Sequence, residues 1–317
     1  MSYKNKKTAF VFPGQGAQYI GMGMDFIDKF PEYLEVLKNF ETKTGENLLS
    51  VMNEGPEDKL KETRFTQPAI LCHSIMALNA FLKRLEIQPD YCAGHSLGEF
   101  SALTANKTLD FADALYLVHK RGEFMIKAND GTPFAMAAVL GLSPETVKEI
   151  CEEASKQHLV VAANFNTPVQ TVISGTKEGV DLATALAKDK KAKRVMPLVV
   201  GGPFHSPLID KASLWLKEEM DKINFNDAIY PVIANVNAKP AIKADDIKIN
   251  LTKQVTSSVL WVDTIKTLES ENVEIYIEFG PQKVLSGMIN KIQPSATVFN
   301  IDKYDDIEIV VREMENL

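Results

Sequence analysis

Asp90-Tyr91-Cys92-Ala93-Gly94-His95-Ser96-Leu97-Gly98 decides how this chain is read. A short strand-like run leads straight into a serine set between two glycines, and a helical pattern begins near Gly98. G-x-S-x-G between a strand and a helix is the nucleophile-elbow arrangement. The serine stands in a strained turn, and Gly94 and Gly98 leave room that a Cβ would fill. The turn presents Oγ at the start of a helix, whose free N–H groups and dipole favour a developing oxyanion. The N–H of Leu97 is the natural first donor. An ordinary turn uses the same residues, and the flanking strand and helix set this one apart. Strand, tight turn and helix make an α/β construction.

Upstream, Thr8 to Phe12 is expected as a buried strand, followed by the turn Pro13-Gly14-Gln15-Gly16. Pro31 to Arg84 is mostly helical in pattern, and Thr66-Gln67-Pro68 predicts a helix start with its proline in the first turn. Asp110 is a good N-cap for a helix from Phe111. From Pro133 to Val200 the character changes. Phe134 to Leu140 reads as a strand. Ser143-Pro144 caps a helix carrying Val147, Ile150, Cys151 and Ala154 at i, i+3, i+4 and i+7. His158 to Phe165 and Val169 to Ser174 read as strands joined by Asn166-Thr167-Pro168. Thr176 starts a second helix, and Lys193 to Val200 is a last strand. The order βαββαβ is the ferredoxin-like split unit. It predicts an inserted subdomain over 133–200, within a larger domain made of 1–132 and 201–317. Val232 to Val236 and Glu274 to Phe279 are further strands of the larger domain.

Composition narrows the function classes. The chain has 317 residues, 45% hydrophobic and 24% charged, with a net charge of −7. That balance opposes phosphate contacts, so no nucleic-acid partner is expected. Cys72, Cys92 and Cys151 lie far apart, which fits neither a disulfide framework nor a zinc site and suits a reducing compartment. The run Ala9 to Phe12 is too short for a signal-peptide core. No apolar stretch approaches the roughly 18 residues of a membrane span. The expectation is a soluble, cytoplasmic protein with no membrane partner and no metal. Gly14-Gln15-Gly16 is a weak match to a dinucleotide turn, because Tyr19 stands where the third glycine belongs.

A serine hydroxyl needs a base, and five histidines compete. His73 and His119 lie within helical patterns, where packing explains them. His158 begins a strand of the insertion. His95 adjoins the serine, but neighbours on an extended strand end point to opposite sides. Elimination makes His205 the favourite, in the proline-stiffened loop Gly201-Gly202-Pro203-Phe204-His205-Ser206-Pro207, with a loop histidine of no consequence as the alternative. Arg121 falls on the apolar stripe of its helix, with Ala114, Leu117 and Val118. A guanidinium directed toward a core needs an anion, and position alone favours a structural ion pair or a snorkelling side chain.

Phe10-Val11-Phe12-Pro13-Gly14-Gln15-Gly16, Thr66-Gln67-Pro68-Ala69, Gly94-His95-Ser96-Leu97-Gly98-Glu99 and Phe204-His205-Ser206 occur in this order, with Asn164-Phe165-Asn166 and Glu278-Phe279-Gly280-Pro281 besides. Together they resemble the malonyl-CoA:acyl carrier protein transacylase family over almost the whole chain. The resemblance implies an α/β-hydrolase-like core with a ferredoxin-like insertion. It implies Ser96 as nucleophile, His205 as general base and acid, and the Gln15 N–H beside that of Leu97 in the oxyanion hole. A backbone carbonyl orients the histidine in that family, and the matching position is Gln254; Asp210, close after His205, is a rival orienter. Arg121 becomes the residue that grips the free carboxylate of malonyl, for which a planar fork is suited. The resemblance also implies that the Phe204 ring limits branching at the α-carbon, and at this position the chain looks more like polyketide-type acyltransferases than many bacterial fatty-acid enzymes.

The implied activity is ping-pong transfer of malonyl from malonyl-CoA to the phosphopantetheine thiol of an acyl carrier protein, without a bound cofactor. The alternatives are a trans-acting polyketide-synthase acyltransferase of different acyl preference, a thioester hydrolase, and a non-catalytic acyl-thioester-binding partner. Lys188, Lys190, Lys191, Lys193 and Arg194 form a basic cluster that is either solvated or attractive to an acidic carrier or to the phosphates of coenzyme A.

Overall fold

The stretch Thr8 to Phe12 is apolar on both faces, as suits a parallel strand covered by helices on either side. In the computed structural model, which describes residues 3–317, it is buried throughout. Among the described residues ten strands run in chain order: β1 (Lys7–Phe12), β2 (Tyr91–Gly94), β3 (Phe134–Leu140), β4 (Val160–Thr167), β5 (Gln170–Thr176), β6 (Arg194–Pro197), β7 (Val232–Ile233), β8 (Pro240–Ala241), β9 (Val273–Phe279) and β10 (Thr297–Ile301). One sheet has the order β10-β9-β1-β2-β7-β8, parallel except where β8 pairs with β7. Its strand ends at Phe12 and Gly94 are paired with each other, which brings the turns after β1 and β2 side by side.

The second sheet has the order β4-β5-β3-β6 and is antiparallel throughout. Its chain order is β-α-β-β-α-β, with helices Pro144–Ala154 and Lys177–Asp189 between strands. Val147, Ile150, Cys151 and Ala154 are all buried, as their helical spacing predicts, and join Ala137, Val139 and Ile173 in one cluster. Ser143 and Thr176 each accept a backbone N–H at the helix start, the cap their side chains are suited to. Main-chain bonds tie β4 to the loop that precedes the helix Trp261–Ser270: Phe165 N–H donates to Val259 O (2.9 Å), and Val259 N–H donates to Ala163 O (2.8 Å).

Several sequence expectations need correction. Pro68 does not begin a helix; it lies inside Thr63–Arg84. A proline there removes the N–H that would pair with the Arg64 carbonyl, and the ring Nδ1 of His119 takes that carbonyl at 3.0 Å. The same helix is long and apolar enough to cross a membrane by length and composition, against the expectation that no stretch approached that length. Its most apolar window is 89% buried inside the protein, so the helix is a core element. His158 lies outside β4, and that strand runs on through Thr167. The last strand of the second sheet stops at Pro197, and β7 spans only Val232–Ile233. β8 and β10 are strands that the sequence pattern does not predict.

Candidate active site

Ser96 sits between the end of β2 and the helix Leu97–Ala105, with φ 51° and ψ −103°. Positive φ is costly for a residue with a Cβ, so the surroundings must hold it there. They do so by close packing and by one asparagine. A Cβ on Gly98 would stand 2.0 Å from the Phe12 carbonyl oxygen, and one on Gly94 would stand 1.9 Å from the Gly98 carbonyl. Asn235, just past β7, accepts the Ser96 N–H at 2.7 Å and donates through Nδ2 to Gly94 O at 2.7 Å. It thus clamps the turn on both sides of the serine.

His205 Nε2 lies 2.8 Å from Ser96 Oγ. On the other side of the ring, Nδ1 faces two carbonyl oxygens, Gln254 O at 2.9 Å and Ser257 O at 3.1 Å. Carbonyls only accept, so the proton sits on Nδ1 and Nε2 presents its lone pair to the hydroxyl. Burial, then the Arg121 charge, pulls the imidazole down to about 3. It is therefore neutral, as a base must be. Asp210, the rival orienter, is exposed at the start of the helix Asp210–Met220 and has no part in this contact.

Arg121 is 1% exposed, although it carries a charge. Its Nη1 donates to Gln67 Oε1 at 2.9 Å, and its Nη2 donates to Gln254 Oε1 at 2.9 Å and to Ser96 Oγ at 3.1 Å. These partners are neutral, so the structural ion pair that position alone suggested is absent from its direct contacts. A buried cation held by neutral acceptors beside a nucleophile is ready for an anionic ligand. Burial brings its pKa down to about 10, so it stays charged at neutral pH.

Gln15, Leu97, Phe204 and Arg121 line one cavity of about 270 Å³ with Ser96 and His205. Its walls are largely apolar, and Met125, Met136, Met196 and Met288 contribute four of them. His95 lines the same cavity, contrary to the expectation that it points away, and its Nε2 meets Asn166 Oδ1 at 2.8 Å. A larger surface hollow of about 830 Å³ lies around Tyr3, Pro89 and Tyr230, away from the nucleophile. Every site residue expected from the sequence is therefore brought to one place: Ser96, His205, Arg121, Gln15, Leu97, Phe204 and Gln254.

Three residues of the site carry a role that sequence reasoning does not assign. Gln67 and Glu99 stand inside quoted motifs, and Asn235 stood in a run read as strand. Glu99 is 3% exposed. Its Oε2 accepts from Asn235 N–H at 3.0 Å and from Gln254 Nε2 at 2.7 Å. Among the described residues, no group of His, Cys, Asp and Glu has the arrangement of a metal site. The three cysteines are buried and unpaired.

A family model described as Acyl transferase domain matches residues 9–299. The chain is 42% identical to the malonyl CoA-acyl carrier protein transacylase of Bacillus subtilis, over 98% of each chain. It superposes on the transacylase structure from Coxiella burnetii with TM-score 0.93, at 34% identity and over 98% of each chain. It also matches a malonyl-transacylase solved in complex with a type II PKS acyl-carrier protein, with TM-score 0.92 at 32% identity, over 97% of this chain and 100% of that one. The nucleophile elbow, the His205 contact and the buried arginine thus lie within a likeness that covers nearly the whole chain, and the chain belongs to the malonyl-CoA:acyl carrier protein transacylase family.

Proposed function

We propose that this protein transfers a malonyl group from malonyl-CoA to the phosphopantetheine thiol of an acyl carrier protein, through an ester on Ser96. The observation that carries this reading is the meeting of His205 Nε2 and Arg121 Nη2 on one hydroxyl, at 2.8 Å and 3.1 Å. The histidine serves the nucleophile, and the arginine offers a charge to an acyl group that carries a carboxylate.

In the first half-reaction Ser96 Oγ gives its proton to His205 Nε2 and bonds to the thioester carbon. The oxyanion faces the N–H groups of Gln15 and Leu97, at the start of the Leu97–Ala105 helix. As the carbon–sulfur bond breaks, the proton on Nε2 passes to the departing thiolate. The imidazolium formed in between is stabilised by the Gln254 and Ser257 carbonyls on Nδ1. Arg121 turns its Nη2 from Oγ to the malonyl carboxylate. The carrier thiol then attacks the ester, and the same proton transfers run in reverse. These steps use no resident cofactor.

The architecture that goes with this reading is an α/β-hydrolase-like core over 1–132 and 201–317, with a ferredoxin-like subdomain over 133–200. The βαββαβ chain order and the antiparallel second sheet support the subdomain. The cytoplasm is the compartment consistent with three free cysteines.

Intact-mass measurement after exposure to a panel of acyl-CoAs, followed by purified carrier proteins, tests the function. Malonyl should accumulate on Ser96 and leave when the carrier is added. Rapid turnover of malonyl-CoA without carrier would assign a hydrolase instead, and no acyl-enzyme with any donor would leave only a binding role.

A further inference from the structure

Gln254 joins two opposite charges through one amide. Its Oε1 accepts from Arg121 Nη2 at 2.9 Å, and its Nε2 donates to Glu99 Oε2 at 2.7 Å. The reverse amide orientation would set donor against donor at the arginine and acceptor against acceptor at the carboxylate, so the direction is fixed. The amide dipole therefore lies with its negative end on the cation and its positive end on the anion. All three side chains are buried, at 3% exposure or less. Arg121 makes no direct contact with a carboxylate, so Glu99 is its counter-charge across this bridge.

We propose that Glu99 is a positioning residue for recognition of a carboxylate-bearing acyl group, balancing Arg121 as an anion in the empty site and taking up a proton when the acyl carboxylate seats on the arginine. This rests on the malonyl reading above. A buried site tolerates an unbalanced charge poorly. Empty, it holds one cation and one anion. With a second anion on Arg121, Glu99 is the redundant charge, and a proton from solvent neutralises it. Both states are then neutral overall, and the Gln254 bridge survives in each because Oε2 still accepts.

The surroundings permit this exchange. Burial pushes the Glu99 carboxyl up to about 7, while the N–H donors of Asn235 and Gln254 and the Arg121 charge oppose that rise. Arg121, on the helix Phe111–Lys127, is the charged group acting on it. The two histidines of the site, His95 and His205, are both held neutral by burial. An added anion on Arg121 raises the proton affinity of Glu99 further.

The test is proton uptake by the full-length protein during acylation without carrier. It is read with a pH indicator in weak buffer near pH 7.5, beside intact mass on the same samples. Loading from acetyl-CoA releases the same thiol but brings no carboxylate. Malonyl loading should take up more protons than acetyl loading, by about half a proton per acylated serine for a tenfold rise in Glu99 proton affinity. Glu99→Gln keeps an oxygen for both donors and removes the charge, and it should abolish the difference. Equal proton changes for malonyl and acetyl in the unaltered protein would overturn the proposal, whether or not the variant folds. So would a difference that persists in the variant. Absence of the malonyl mass increment would instead overturn the malonyl reading itself.

Discussion

Ser96 and His205 both hold left-handed backbone, with φ 51° and φ 56°, and their side chains meet at 2.8 Å. Two residues with a Cβ in this region represent stored strain of about 1–3 kcal/mol each. The Asn235 clamp and the glycine packing hold the serine in place, and the Gln254 and Ser257 carbonyls fix the imidazole. Ser96→Gly removes the hydroxyl and the strain together. Acylation by malonyl-CoA should fall by at least about 10³-fold, while the melting temperature holds or rises. A melting temperature that drops by several degrees would show the elbow to be unstrained.

Arg121 meets only neutral acceptors in the empty site, so its charge is available to a ligand. Arg121→Ala should lower kcat/KM for malonyl-CoA by about 10²-fold, the scale of a lost charged hydrogen-bonded pair of ~3 kcal/mol. Acetyl-CoA, which lacks the carboxylate, should lose far less, and the malonyl-to-acetyl preference should shrink accordingly. Equal losses for both donors would contradict a carboxylate clamp.

The histidine orienter can be separated from its rival by one substitution. Asp210 is exposed, and both oxygens that face His205 Nδ1 are main-chain carbonyls. Asp210→Asn should therefore leave kcat and its pH profile within about twofold of the parent, since exposed substitutions away from a network change little. A tenfold loss of kcat in the folded variant would return the carboxylate to the mechanism.

What was legible in the sequence follows from how local each demand is. The elbow is readable because Gly94, Ser96 and Gly98 satisfy a steric requirement within five residues. The helix Pro144–Ala154 is readable because one cap and one stripe specify it. Pro68 misled because its missing N–H is compensated by His119, a residue from another helix. β7 was read too long because Asn235 must leave the strand to reach Gly94 and Ser96. The link between Glu99 and Gln254 spans 155 positions, and no spacing rule reaches that far. Motif resemblance found Gln254 for its carbonyl, yet its side chain also holds Arg121 and Glu99.

The basic cluster lies at the end of the helix Lys177–Asp189 and on into β6, with Lys188, Lys190 and Lys191 all exposed. Among the described residues no ion pair holds these three lysines, so their charge is free to act at a distance. Reversing all three to glutamate should raise the apparent KM for an acidic carrier severalfold, with a stronger effect at low salt. Formation of the malonyl-enzyme should be unchanged. Unaltered carrier kinetics would leave the cluster as a solvated surface.

Glu278 offers a stability test with a definite sign. Its Oε1 accepts the Leu285 N–H at 2.9 Å, and its Oε2 accepts the Ser286 N–H at 2.8 Å and the Ser286 hydroxyl at 2.6 Å. It thereby holds the start of the helix Val284–Ile292, whose Val284 and Leu285 line the cavity. Burial raises its carboxyl to about 7 despite these donors. The folded state thus binds the proton more tightly than the unfolded chain, whose glutamates titrate near ~4.3. The resulting stability is fully present below that value and is lost as pH rises through about 7. The full loss is about 4 kcal/mol, at ~1.4 kcal/mol for each tenfold change in proton affinity. Glu278→Gln has no such slope, but it gives up one acceptor at all pH values. The variant should melt well below the parent at pH 5, and the gap should narrow steadily toward pH 8. Parallel melting curves across that range would show that this carboxyl does not titrate there.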